Sequence, residues 1–206
     1  PPAEKEGMRL IEREVAERVL QAALCCGADF SELFVEDTVS NSLEMTDGKV
    51  ENAAYTRRHG AGVRVLMGVR SAYAYTAETD EASLVATARA AAAALQGAPA
   101  AREIVFAAQG YRAPMAVPFT AVGNDRRMAL LREATKAARS VSAEITQVQA
   151  RYQDKVRRTL VCNSDGVFAT AERPYTRTAV IAIAMQDTQA QMGYEAPGCC
   201  RGFEAY

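Results

Sequence analysis

Two Asp-Gly steps constrain this chain more than any other feature. Asp47-Gly48 lies between the strand-patterned residues 40–45 and 50–57, and Asp165-Gly166 recurs 118 positions later between further strand-patterned runs. An Asp-Gly pair takes up positive φ readily and closes a tight hairpin whose twist matches its strands. The offset persists beyond the turn: Val63, Val65 and Met67 fall on Ile181, Ile183 and Met185, and Ser71-Ala72 on Gln189-Ala190. The chain therefore reads as two pseudo-repeats, about 8–97 and 122–196, each a helix followed by strands. The fold class expected is α+β, built from duplicated helix plus antiparallel-strand meander units. Two meanders alike by patterning alone are the plainer alternative.

Each repeat opens with a helical period. Over residues 8–26, Met8, Ile11, Val15, Val19, Ala22 and Ala23 recur at steps of three and four, charged residues fill the other side, and Gly27 supplies a stop. Alternation over 30–37 and again over 61–67 and 71–76 predicts strands. Asp80 or Thr79 is placed to cap a helix running through Leu95, ended by Gly97 and Pro99. Residues 98–122 hold Pro99, Pro114 and Pro118 and little periodicity, which predicts a surface connection. Asn124 or Asp125 then caps a helix to about Arg139 that presents Met128, Leu131 and Thr135. Strands follow at 144–152, 155–163, 166–172, 175–185 and 189–194.

Charge and cysteine usage exclude several function classes. Twenty-four basic residues stand against 25 acidic ones, net −1, so the field that draws a protein to nucleic acid or an anionic membrane is missing. Direct nucleic-acid and membrane partners are not expected. The longest weakly polar run, 85–95, is broken by Thr87 and Arg89 and falls far short of the roughly 20 apolar residues that span a bilayer. The opening Pro1-Pro2-Ala3-Glu4-Lys5-Glu6 has no secretory pattern and reads as a trimmed boundary. Five cysteines fall as Cys25-Cys26, Cys162 and Cys199-Cys200, an odd number with vicinal pairs, which predicts reduced thiols in the cytoplasm rather than a disulfide framework. With His59 the single histidine and no converging Cys/His spacing, neither a metal site nor a catalytic set is expected here.

A more specific signal runs through Gly27-Ala28-Asp29-Phe30-Ser31-Glu32-Leu33-Phe34-Val35, then Leu43-Glu44-Met45-Thr46-Asp47-Gly48-Lys49-Val50-Glu51, then His59-Gly60-Ala61-Gly62-Val63-Arg64-Val65-Leu66. Gly68-Val69-Arg70-Ser71-Ala72-Tyr73-Ala74-Tyr75 and an alanine-rich helix follow in order. This series resembles the N-terminal domain of TldD/PmbA proteins, nearer the TldD branch, and the likeness reaches Asn163-Ser164-Asp165-Gly166 and Met192-Gly193-Tyr194-Glu195, taking in nearly all of 1–206.

The resemblance implies a set of expectations. The family resembles zinc metallopeptidases acting on short or unfolded peptides, also called modulators of DNA gyrase, with a His-Glu-x-x-x-His motif in a C-terminal domain. Here His59 is followed by Gly60, so the motif and its zinc are expected only downstream of this chain, which is not catalytic alone. The chain would be the scaffold of a substrate-enclosing homo- or heterodimer with a TldD/PmbA-type chain. The alternative is a non-enzymatic partner subunit or adaptor of the PmbA kind.

Three residues are candidates for substrate binding. His59 offers a contact for a substrate carboxylate or backbone, or is a solvated turn residue beside Gly60. Tyr73 and Tyr75 share one face of a short strand, lining a peptide groove or covering a half-buried sheet. Gly60-Ala61-Gly62 precedes a strand rather than a helix and lacks the amide nest of a phosphate loop. Glu32, Glu36 and Glu44 read as exposed strand charges.

Overall fold

The structure, a computed structural model, describes residues 10–95, 97 and 102–206. The first helix, α1, spans Arg13–Leu24 and buries Ala16, Val19, Leu20, Ala23 and Leu24. It starts later than the period over 8–26 predicts, because Glu12 is extended (φ −70°, ψ 151°). Ile11 is buried in the same apolar cluster as Ala16, the arrangement of a hydrophobic staple across a helix start. Met8 lies outside the described residues. Gly27 ends the helix at φ 78°, its amide donating to the Leu24 carbonyl at 2.9 Å.

Four long strands follow in two hairpins: β1 (Phe30–Thr46) with β2 (Lys49–Met67), and later β5 (Ile145–Asn163) with β6 (Val167–Gln186). The sequence pattern breaks near residues 38–40, 58–60, 153–154 and 173–174, where separate strands are predicted; the strands run through all four. Burial along β1 explains why. Leu33 and Val35 enter one apolar cluster, Leu43 and Met45 another, and the polar stretch between them serves neither. β5 repeats this, giving Ala150 and Tyr152 to the second cluster and Leu160 and Cys162 to the first. A gap between two cores reads in sequence as a gap between two strands.

The Asp-Gly turn forms as predicted, with Asp47 at φ 51° and Gly48 at φ 80°. The Val148 amide donates to the Asp47 carboxylate at 2.8 Å and, with Arg139 at 2.5 Å, holds that carboxyl below its ordinary range. At the second turn Gly166 has φ 93°, and a Cβ there would meet the Val105 carbonyl at 2.5 Å, so glycine is required twice over.

Short strands complete each series: β3 (Arg70–Thr76) pairs antiparallel with β2, and β7 (Gln189–Glu195) with β6. The three strands of the first series hold 17, 19 and 7 residues, those of the second 19, 20 and 7. Helix α2 (Glu81–Ala93) is capped by Asp80, whose side chain accepts from the Ser83 amide at 3.0 Å. Gly97 lies beyond the helix, and Pro99 outside the described residues.

The stretch 98–122 departs from the prediction of a plain connection. Ala107–Arg112 forms β4, parallel to β6 from Ala107↔Val167 to Arg112↔Glu172. All six of its residues are exposed, so it carries no burial pattern for the sequence to reveal; its ladder alone defines it. Phe119 and Val122 are buried in the second cluster. Helix α3 (Asn124–Arg139) begins at a Gly123 cap rather than at Asn124 or Asp125. The two-residue strand β8 (Gly198–Cys199) pairs with β6. The strand order is β3-β2-β1-β5-β6-β4, with β7 and β8 also on β6. With helices and an antiparallel sheet, the α+β class holds.

The compact units interleave along the chain. One takes the segments to Thr38, Arg58–Arg112 and Arg157–Glu172; the other takes Val39–Arg57, Ala113–Val156 and Arg173–Tyr206. The first holds α1, α2 and most of the aliphatic core, the second α3 and an aromatic cluster around Tyr152 and Phe203.

Cysteine burial gives a direct check on the first cluster. Cys162 is fully buried, and that burial above all, with the Glu32 charge, pushes its thiol up to about 12. Cys25, Cys199 and Cys200 are exposed and Cys26 is buried. With iodoacetamide at pH 8 under native conditions, three thiols are expected to alkylate promptly, with Cys26 and Cys162 reacting at least about tenfold more slowly. Mass spectrometry of the time course locates each adduct, and early labelling of Cys162 would contradict the packing.

Candidate functional site

The exposed chemistry of the first unit gathers on β3, the terminal strand of the order, whose outer side pairs with no strand among the described residues. The ladder sets Arg64 opposite Tyr73 and Gly62 opposite Tyr75. Directly opposed residues share a face. Gly60, Gly62 and Arg64 therefore lie on the side of both tyrosines, which are 62% and 80% exposed with ring centroids 6.3 Å apart. Tyr73 lies across Gly62, where any Cβ would collide with its ring and hydroxyl. The Gly60-Ala61-Gly62 run thus has a packing reason: one glycine clears a tyrosine, and the other clears the Thr76 carbonyl, 2.8 Å from where its Cβ would stand.

His59 belongs to the other face. Its parity in β2 is that of Ala61, Val63 and Val65, which are buried. It sits within a strand and not in a turn, because β2 runs unbroken through it. One ring nitrogen lies 3.0 Å from Thr79 Oγ1 and the other 3.6 Å from Asp37 Oδ1. The structure brings Tyr73 and Tyr75 together and leaves His59 apart, tying β2 to the residues before α2.

The glutamates are not paired with one another. Glu32 faces Arg64 at 3.2 Å, Glu36 faces Arg157 at 2.9 Å and Glu44 faces Arg151 at 3.8 Å. Burial works against ionisation of Glu36, but hydrogen bonds from Thr38 and Arg157 outweigh it and hold the carboxyl low. These are ion-paired strand residues, half-buried rather than fully exposed.

Among the described residues no group of three His, Cys, Asp or Glu side chains is placed to hold a metal. The only histidine has both ring nitrogens beside other side chains. The residues present do not fit a zinc site, and no chemical step is assigned to them. β3 presents an edge that pairs with no further strand among the described residues, beside two aromatic faces.

One polar cluster escapes the sequence pattern. Arg127, one turn before Leu131 on the inner face of α3, is buried at 5% exposure against Asp154 at 1%. Its guanidinium meets the Asp154 carboxylate at 2.9 Å and the carbonyls of Phe119 and Val122 at 2.9 and 2.7 Å. Tyr152 and Asn41 donate to the same carboxylate, both at 2.8 Å. Every polar member has a partner, so the cluster fixes the 119–122 turn to β5 and leaves nothing free for chemistry.

Residues 31–95 match the model for PmbA/TldA metallopeptidase domain 1 and residues 117–205 the model for the central domain of the same metallopeptidases, about three quarters of the chain in all. The chain belongs to the PmbA/TldD family. A metalloprotease TldD homologue from Haemophilus influenzae is 24% identical over 171 residues, which is 80% of this chain and 35% of that protein. Among solved structures, a candidate modulator of DNA gyrase from Bacteroides thetaiotaomicron matches 92% of this chain and 45% of its own, at TM-score 0.70 and 11% identity. A second, from Thermotoga maritima, matches 91% and 43% at TM-score 0.69 and 15% identity. TldE from Thermococcus kodakarensis matches 89% and 42% at TM-score 0.65 and 12% identity. This PmbA/TldD chain thus shares the fold of these structures and spans less than half the length of each relative. TldD and TldE proteins both appear among the matches. Among the described residues no helix is long and apolar enough to cross a membrane.

Proposed function

We propose that this chain is the N-terminal scaffold of a cytoplasmic, TldD-like zinc-dependent peptidase, and that it holds a short or unfolded peptide inside a dimer without being catalytic alone. The observation that carries this reading is the β3 edge, whose outer side pairs with no strand among the described residues and which bears two exposed tyrosines. An extended peptide added to such an edge is held by main-chain hydrogen bonds, and the aromatic faces give purchase on side chains of many kinds. Membership of a metallopeptidase family and the match to a TldD homologue supply the class of reaction. Zinc, with a His-Glu-x-x-x-His segment, would belong to the part of such proteins that this chain does not span.

The test uses the full-length parent protein. It is expected to bind zinc and to cleave an unfolded peptide, and the double substitution Tyr73→Ser with Tyr75→Ser is expected to raise KM about 5- to 20-fold while kcat and zinc content stay close to wild type. A parent without zinc or cleavage would sink the peptidase reading, and an unchanged KM would sink the role of β3. The second reading is a non-enzymatic partner subunit or adaptor of the PmbA kind. Stoichiometric heterodimer formation with a TldD-type chain, seen by native mass measurement in a parent that binds no zinc, would select it.

A further inference from the structure

The two terminal hairpins can be compared residue by residue from their two-residue turns. Met67↔Arg70 closes one and Gln186↔Gln189 the other. Counting inward, Val65↔Ala72 answers to Ala184↔Gln191, Val63↔Ala74 to Ala182↔Gly193, and Ala61↔Thr76 to Val180↔Glu195, so the hairpins set Val63 and Val65 against Ala182 and Ala184 and not, as the offset of 118 has it, against Ile181 and Ile183. On the β2–β3 hairpin this face is covered: Ala61, Val63 and Val65 are buried in one cluster with Leu84, Ala88, Ala91 and Ala92 of α2, which packs on α1 and β3. On the β6–β7 hairpin the same face is an open groove of about 460 Å³, lined by Val180, Ala182, Ala184 and Gly193 together with Ala138 and Val141 at the end of α3. Val141 is 80% exposed.

The segment after β7 does not fill the groove. It runs into β8, which pairs with Thr176 and Arg177 of β6, and on to Phe203 in the aromatic cluster. In the first unit the segment after β3 is α2 itself.

Charge on the flanking helix also differs between the two units. α1 ends at Leu24 and β1 begins at Phe30; α3 ends at Arg139 and β5 begins at Ile145, the same interval. Arg18 therefore answers to Glu133. Arg18 clamps α2 through Glu81, with contacts of 2.5 and 2.7 Å. Glu133 is exposed and has no ion-pair partner among the described residues. A helix in the groove needs a base where α2 carries an acid.

We propose that this groove docks one amphipathic helix of a partner chain, seated beside α3 as α2 is seated beside α1. Small residues on that helix face Ala182 and Ala184, and a lysine or arginine at the place of Glu81 faces Glu133. The inference rests on the two hairpins and does not depend on the peptidase reading.

The probe is a fluorescent peptide of residues 80–95 carrying Glu81→Lys, its helicity checked by circular dichroism, titrated into the 206-residue chain. Saturable one-to-one binding is expected, about 2- to 5-fold tighter than for the unaltered sequence, with that preference reversed by Glu133→Lys in the protein. Ala184→Arg is expected to weaken it at least about tenfold, and Val141→Glu, at an exposed position that leaves the core untouched, to do the same. Absence of saturable binding, or binding that neither variant disturbs, overturns the proposal. So does a concentration-dependent dimer that Ala184→Arg dissolves, which would assign the groove to a second copy of this chain.

Discussion

Asp154→Ala is expected to cost about 3–5 kcal/mol of unfolding free energy, more than any exposed substitution in this protein. The side chain is 1% exposed and accepts from Arg127, Tyr152 and Asn41. Its removal strands a guanidinium that is itself 5% exposed and leaves the Tyr152 hydroxyl without its acceptor. Burial first, and then the Asp154 charge, raise the Tyr152 hydroxyl far above its ordinary range, so that hydroxyl stays neutral and cannot compensate. Urea denaturation followed by circular dichroism measures the loss. The double variant Arg127→Met with Asp154→Leu distinguishes a stranded charge from lost packing, because a well-packed apolar pair often matches a buried ion pair. It is expected to recover at least half of the loss. A single-variant cost below about 1 kcal/mol would contradict the buried cluster.

Leu84→Ala is the second large effect, expected to lower stability by about 2–5 kcal/mol. Leu84 has no exposed surface and packs with Val63 and Val65 under α2. Truncation loses its transfer free energy and leaves a cavity that neighbouring strands, fixed by their ladders, cannot collapse to fill. The exposed Arg89 on the same helix provides the control, with Arg89→Ala expected to stay within about 0.5 kcal/mol of wild type. For a chain of this size the difference appears as a fall in Tm of roughly 4–20 °C. Equal effects from the two variants would mean that α2 is not docked on this face.

Local rules carried the sequence a long way. The Asp47-Gly48 hairpin, the Asp80 cap and the three helices follow from turn chemistry, capping oxygens and apolar spacing, all set within a few residues. The motifs from Gly27 to Tyr75 were specific enough to point to the family that the chain belongs to. The strand lengths were hidden because the chain serves two cores. At residues 38–42 of β1 a stretch polar but for Val39 marks the passage between them, and periodicity cannot tell this from a loop. β4 was hidden because a fully exposed strand has no side-chain period, only a ladder with a partner about 60 residues away.

The candidate site divides in the same way. That Tyr73 and Tyr75 share a face is a matter of parity and was visible in the sequence. That His59 lies on the opposite face depends on β2 running unbroken through Gly60, which the glycines disguised. Arg127 stands at helical spacing from Leu131 and Thr135, which marks the inner face, but its partner Asp154 is 27 residues away and neither residue type announces burial. By itself the sequence determined the three helices, the first hairpin turn and the kind of chain this is, since those rest on local backbone preference and residue spacing. Only the tertiary structure decided which strands run through, which charge is buried and which of two like hairpins is left open, because those depend on groups that meet across long stretches of chain.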